Sequence, residues 1–223
     1  KNDHAVLPIA SLTKLMTALV VLDARQNLNQ TLTIDQNDRD NLKHTYSRVR
    51  MGTKVTRRDA LHLALMSSEN RMASALGRHY PGGRSAFIRA MNNKARQLGM
   101  RNSRFYDSTG LSTRNVSTAR DLAKLIAAAY RQPLIRQFTQ DTNKEMRFST
   151  PAYSLMFNNT NPLVKNPDWD VRLSKTGYTD EAGRCLLMRA KPDQQELAIV
   201  LLNSVGKRTP VGDANRIRKW LKS

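Results

Sequence analysis

The chain has 223 residues, 39% of them hydrophobic and 25% charged, a balance that suits one globular domain with a sizeable core. No apolar run approaches the ~20 residues that a helix needs to cross a bilayer. The net charge is +19, but the 37 lysines and arginines form no basic block, and no zinc-finger spacing or RNA-binding aromatic signature occurs, so a generally basic surface is expected and no nucleic-acid partner.

The first predicted element is the one around which the rest is arranged. Pro8 and Ser11 precede an apolar run at 15–22, which predicts a helix that starts at Ser11 and ends near Gln26 and Asn27. Lys14 then lies one turn from Ser11, on the same face. An amine held neutral by burial or by a nearby cation can take the proton of a hydroxyl within its reach. The pair reads either as a nucleophile with its base or as a capping serine followed by a surface lysine. The segment alone does not separate the two.

A polar stretch follows, with a short strand at 31–34. Thr56-x-x-Asp59 is a capping-box-like start for a buried helix carrying Leu61, Leu63 and Leu65. That helix should stop at Ser67–Ser68, and another should run from Glu69 to His79. Ser68 and Asn70 fall at the junction, where they either project into a cleft or, for Ser67 or Ser68, cap the second helix. Pro81-Gly82-Gly83 is a turn. Residues 85–98 are amphipathic, with Gly99 in place to end the helix. Residues 107–111 read as loop, and Thr118-x-x-Asp121 opens a helix that runs through Tyr130 and is ended by Pro133.

From Lys144 the apolar period shortens to two. Residues 146–148, 171–176, 185–188 and 197–202 read as strands, the last three as an antiparallel meander. Residues 210–221 form a closing helix, with Val211, Ile217, Trp220 and Leu221 to pack on the sheet. Cys185, the single cysteine, sits in an apolar strand and reads as a buried, inert thiol. The histidines at 4, 44, 62 and 79 have no metal-site spacing, so neither metal nor cofactor is expected.

Three short motifs stand in order: Ser11-x-x-Lys14, Ser68-x-Asn70 and Lys175-Thr176-Gly177. Each alone is weak, and the last alone is an ordinary strand end. Together they are the set shared by penicillin-binding proteins and serine β-lactamases. The likeness continues through Thr109-Gly110-Leu111 with the segment to Lys124, and through Tyr178-Thr179 with Ala182-Gly183. Across essentially its whole length the chain resembles the low-molecular-mass penicillin-binding proteins, the serine D-Ala-D-Ala peptidases. Among them it is most similar to the D-alanyl-D-alanine endopeptidases of the penicillin-binding protein 7/8 type.

The resemblance implies an α+β fold of the serine β-lactamase and DD-peptidase kind. One domain, 1–223, would hold a helical lobe at about 11–140 and an antiparallel sheet lobe at about 144–223, with the active site between them. Family members have a five-stranded sheet, two strands of which precede the nucleophile segment. Only ten residues precede Ser11 here. The expectation is therefore three sheet strands from 171–203 and a sheet incomplete on its N-terminal side. The implied activity is cleavage of D-Ala cross-links in peptidoglycan, in the periplasm, with β-lactams as covalent inhibitors. The alternatives are a D-Ala-D-Ala carboxypeptidase, a class A β-lactamase, and a basic nucleic-acid- or envelope-binding module with a dead site. The β-lactamase reading lacks its Glu-x-x-Leu-Asn element, and the binding module rests on the charge alone.

Serine-based amide cleavage asks for a base, an oxyanion site and substrate anchors. Lys14 is the candidate base for Ser11, and Lys175 is expected to help keep it neutral by like-charge repulsion. Ser68 could relay a proton to the leaving nitrogen, and Asn70 could hold the substrate amide. The backbone N–H groups of Ser11 and Tyr178 would form the oxyanion hole. Lys175 and Thr176 would bind a substrate carboxylate, and Gly177 would let the strand approach the ligand. The glutamates at 69, 145, 181 and 196 offer no evident deacylation base, and Glu69 is expected to face away from the cleft.

Overall fold

Side chains that cap free amides decide where several helices begin. In the computed structural model, which describes residues 1–222, a two-residue strand β1 (Leu7–Pro8) leads through a 3-10 turn at Ala10–Leu12 into helix α1 (Thr13–Asp23). Strands β2 (Thr31–Thr33) and β3 (Lys54–Thr56) pair antiparallel ahead of α2 (Arg57–Met66). Thr56 Oγ1 accepts the Asp59 amide and donates to the Asp59 carboxylate, so both members of the predicted box are used at this helix start. Helices α3 (Asn70–Arg78) and α4 (Gly83–Gln97) follow, then β4 (Val116–Ser117), α5 (Ala119–Tyr130) and α6 (Pro133–Gln140). Thr118 caps α5 through the amide of Asp121.

The remainder is mostly sheet. A hairpin of β5 (Asn143–Ser149) and β6 (Ala152–Asn158) stands by itself, and β7 (Val171–Thr179), β8 (Gly183–Ala190) and β9 (Leu197–Ser204) form an antiparallel meander before α7 (Thr209–Lys222). Strand β8 shows why this region reads as apolar runs without polar alternation. Cys185 and Leu187 point into the main core with α1, α2 and α5. Leu186 and Met188 point into a second core with Trp169, Ile199 and Ala214. A strand covered on both faces has no polar side. Trp169 donates from its indole to Asn215 on α7, which fixes that helix on the outer face of the sheet.

The structure departs from the sequence expectations at four places. Helix α1 ends at Asp23, because Arg25 turns the chain at φ +50 before Gln26 is reached. Helix α5 ends at Tyr130 as expected, but Pro133 opens a further helix, α6, in whose first turn its missing N–H costs nothing. The strand at 31–33 finds its partner in β3, and the strand at 143–149 in β6, two segments not expected to be extended. As expected, the main sheet has three strands among the described residues, and β1 pairs with β4 outside it.

Candidate active site

The 3-10 turn that carries Ser11 is held from two sides by backbone. Gly110 adopts φ +88, and a Cβ there would lie 2.0 Å from the Ala10 carbonyl oxygen. A Cβ on Gly177 would lie 2.9 Å from the Ser11 amide nitrogen. Only glycine lets the 107–111 loop and strand β7 close on this turn together. The closure permits Ala10, a non-glycine residue, to sit at φ +45 immediately before Ser11.

Ser11 does not cap the helix. No side chain caps the 3-10 turn or α1. The Ser11 hydroxyl instead lies 2.8 Å from Lys14 Nζ. Two further oxygens complete the surroundings of that amine: Asn70 Oδ1 at 2.7 Å and the Thr109 carbonyl at 2.7 Å. Lys14 is wholly buried, and burial lowers its pKa to about 7 against the opposing pull of the Asp107 and Glu69 carboxylates. An amine at that value is neutral in about half the molecules at neutral pH and can accept a proton from the hydroxyl beside it.

Ser68 occupies the α2–α3 junction at φ +60. Neither it nor Ser67 caps α3; that cap is Glu69, whose carboxylate accepts the Arg71 amide and the Ser47 hydroxyl. The cap occupies Glu69, and Ser68 is left to meet Lys175, whose Nζ donates to Ser68 Oγ at 2.8 Å and to the Thr176 carbonyl at 2.9 Å. Lys175 is also buried, and its pKa lies well below the ordinary lysine value, through burial first and the Lys14 charge second. For Lys14 burial is the largest cause of the depression.

All the residues singled out from sequence thus meet along one cleft. Strand β7 lies at the edge of the three-stranded sheet and presents Thr176, Gly177 and Tyr178 to a cavity of about 650 Å³ that also reaches Ser11, Ser68 and Asn70. The Arg184 guanidinium lies 3.6 Å over the Tyr178 ring, and the Tyr178 hydroxyl donates to Asp180.

Several neighbours were not visible in the sequence. Asp107 Oδ1 accepts the amides of Thr109 and Gly110, and Asn115 donates to Asp107 and to Thr13, so the loop delivers the Thr109 carbonyl to Lys14. Asp-x-Thr-Gly was the available signal for that turn. Asn70 Nδ2 donates to Thr45 Oγ1, and Thr45 Oγ1 donates to Asp40, which fixes the amide with its oxygen toward Lys14. The 40–45 loop reaches across to the turn after β7 through a Lys43–Glu181 ion pair. Thr176 Oγ1 donates to Thr160, and Arg184, Lys207 and Arg208 give the cavity a cationic wall.

A family model described as D-alanyl-D-alanine carboxypeptidase, of the peptidase S11 type, matches residues 1–206. A D-alanyl-D-alanine endopeptidase of Pseudomonas aeruginosa is 48% identical over 223 residues, covering all of this chain and 72% of its own. An Escherichia coli protein of the same description is 50% identical over 222 residues, covering all of this chain and 72% of its own. Among solved structures, the Streptomyces K15 DD-transpeptidase superposes with a TM-score of 0.89 at 26% identity, over 98% of this chain and 88% of that one.

Proposed function

The chain belongs to the D-alanyl-D-alanine carboxypeptidase family of serine peptidases, and from that premise we propose how its residues act and which bond it cuts. It is a serine D-Ala-D-Ala peptidase of peptidoglycan. The preferred bond is a D-Ala cross-link, as the description of its half-identical relatives suggests. The reading extends to a periplasmic location and to β-lactams as covalent inhibitors. One observation carries the residue assignment: a serine hydroxyl 2.8 Å from a wholly buried lysine amine whose pKa is about 7.

In acylation, neutral Lys14 takes the Ser11 proton as Oγ bonds to the D-Ala carbonyl carbon. The negative charge that develops on the carbonyl oxygen is met by the backbone N–H groups of Ser11 and Tyr178; one such donor contributes ~3 kcal/mol to the barrier. The C–N bond then breaks, and a proton passes from Lys14 through Ser68 to the leaving nitrogen. Asn70 spends Nδ2 on Thr45 with one hydrogen and keeps the other for the substrate amide. Lys175 and Thr176 hold the carboxylate next to the scissile bond, and Arg184, Lys207 and Arg208 suit further carboxylates on the leaving strand. Water hydrolyses the ester and restores Ser11. Glu69 Oε1 caps α3 through the Arg71 amide and accepts the Ser47 hydroxyl, a structural task at the helix start. A penicilloyl group keeps its ring tethered over the ester, so its adduct should outlive the peptide acyl-enzyme.

Two measurements test this. Penicillin should label the protein once, on Ser11, and the label should persist. Mass analysis of digested muropeptides should show cross-linked dimers converted to monomers. Rapid turnover of penicillin would reject the peptidase in favour of a β-lactamase. Release of terminal D-Ala with cross-links left intact would reject the endopeptidase preference.

A further inference from the structure

Four arginines gather on the outer side of the Ser68–Asn70 junction without a carboxylate partner. Arg48 lies 5.3 Å over the Phe157 ring and donates to the Met156 carbonyl at 2.5 Å. Arg50 lies 4.6 Å over the Tyr153 ring. Both rings belong to β6. Arg71, next to Asn70 on α3, donates to the Val49 carbonyl. Arg39 is exposed at the start of the 40–45 loop. Rings and carbonyls orient a guanidinium but do not neutralise it. Among the described residues no carboxylate comes within ion-pair distance of any of the four, whereas Arg78, Arg120, Arg172, Arg189 and Arg218 each have one.

The two acids nearby are already engaged. Asp40 accepts the amides of Leu42, Lys43 and Thr45 and the Thr45 hydroxyl, and Glu69 accepts the Ser47 hydroxyl and the Arg71 amide. Three arginines oriented by rings or carbonyls, with exposed Arg39 beside them, therefore outnumber the two carboxylates nearby. Surface depressions of about 200, 350 and 400 Å³ adjoin Tyr46 and Ser47 and are lined by these arginines, and Tyr46 is 89% exposed between them. The depression of about 350 Å³ is also walled by Ser67 and Glu69, which flank Ser68 in the chain. Whatever is held there lies just across that junction from the cleft.

We propose that Arg39, Arg48, Arg50 and Arg71 form an exosite that holds free carboxylates on the peptide stems of cross-linked peptidoglycan while the cross-link lies at Ser11. The inference rests on the peptidase reading, and it follows from three observations: oriented guanidiniums, charge without internal neutralisation, and continuity with the wall that carries Ser68 and Asn70. The stems of the polymer carry carboxylates along their length, so one molecule can fill the cleft and the exosite together. The gain is an effective concentration at the cleft, not a new chemical step.

The test separates binding from chemistry. In a Ser11→Ala background, pelleting with purified sacculi at low salt reads binding without turnover. Arg48→Gln with Arg50→Gln should weaken it about fivefold or more, with the gap closing as salt rises. Arg48→Lys with Arg50→Lys should retain most of it. Sacculi whose stem carboxylates have been converted to amides should bind wild type as weakly as native sacculi bind the Gln variant. With Ser11 present, the Gln variant should acylate with penicillin at the wild-type rate. Unchanged pelleting of the Gln variant would overturn the exosite, as would full binding of amidated sacculi. A loss seen only with polyphosphate or DNA would reassign the cluster to phosphate polymers and overturn it too. A parallel fall in penicillin acylation would show that the substitutions act through the junction itself and would overturn the exosite. Failure of the peptidase reading would appear separately, as absence of penicillin labelling in the wild type.

Discussion

Each wall of the cleft buries a lysine, and the two environments differ in what stands against burial. On the helical wall, Lys14 has three oxygen acceptors at its amine and the Asp107 and Glu69 carboxylates close enough to support its charge. On the sheet wall, Lys175 has the Ser68 hydroxyl and the Thr176 carbonyl, no supporting carboxylate, and the Lys14 charge to push it lower. In the free protein the charge of Lys14 is therefore the better supported of the two, while burial and the Lys14 charge both push the Lys175 pKa down. A carboxylate bound beside Lys175 and Thr176 would supply the support that this wall lacks and raise Lys175.

The largest break in this comparison removes the group that both walls serve. Ser11→Ala should abolish penicillin labelling, with the melting transition unchanged, because the hydroxyl caps no helix and its loss frees no backbone amide. Residual labelling mapped to another residue would refute the nucleophile. The next effect separates the two lysines. Lys14→Arg should slow acylation ~10³-fold, since a guanidinium stays protonated and cannot act as base. Equal acylation rates would remove Lys14 from that role.

A third substitution asks whether the coupling between the walls is real. Lys175→Arg keeps a cation for the carboxylate but makes it permanent, so the cost at high pH should be smaller, ~10-fold. The wild-type acylation rate should rise with pH through about 7, as Lys14 loses its proton. A fixed charge at 175 should move that rise to lower pH. A rise left in place would show that the two amines do not sense each other.

What could be read from sequence was local. Ser11 with Lys14, Ser68 with Asn70, and Lys175 with Thr176 and Gly177 are each a few residues apart, and the helix starts at Thr56 and Thr118 announce themselves through Asp59 and Asp121. Hidden groups were those brought in by closure of the chain. Thr109 reaches Lys14 from 95 positions away, Thr45 fixes Asn70 from 25 away, and Thr160 meets Thr176 from 16 away. Thr109 lies in a turn that Asp107 and Gly110 mark, but no spacing ties it to Lys14, and Thr45 and Thr160 carry no mark at all. The same limit hid the β2–β3 pairing, whose three-residue strands have too short a period to stand out. Residue type alone left capping open as the alternative role for Ser11 and Ser68. The 3-10 turn and the Glu69 cap leave both hydroxyls for the lysines instead.

The smallest effect tests the support given to Lys14 by its own wall. Glu69 raises the Lys14 pKa through space, while its oxygens hold the Arg71 amide and the Ser47 hydroxyl. Glu69→Gln keeps an oxygen for the helix cap and removes the negative charge, so the fold should be retained. The sign follows from the charge. Without the carboxylate the protonated amine is less favoured, the Lys14 pKa falls, and the neutral fraction at mildly acid pH rises. The acylation rise should then shift a few tenths of a unit to lower pH, a differential interaction of roughly 0.5 kcal/mol, and the plateau at high pH should be unchanged because Lys14 is neutral there in both proteins. The shift is in the same direction as that expected for Lys175→Arg, but without that variant's loss on the plateau. A shift toward higher pH, or a plateau that falls with no shift, would mean that Glu69 acts on Ser11 through the shape of the junction and not through charge.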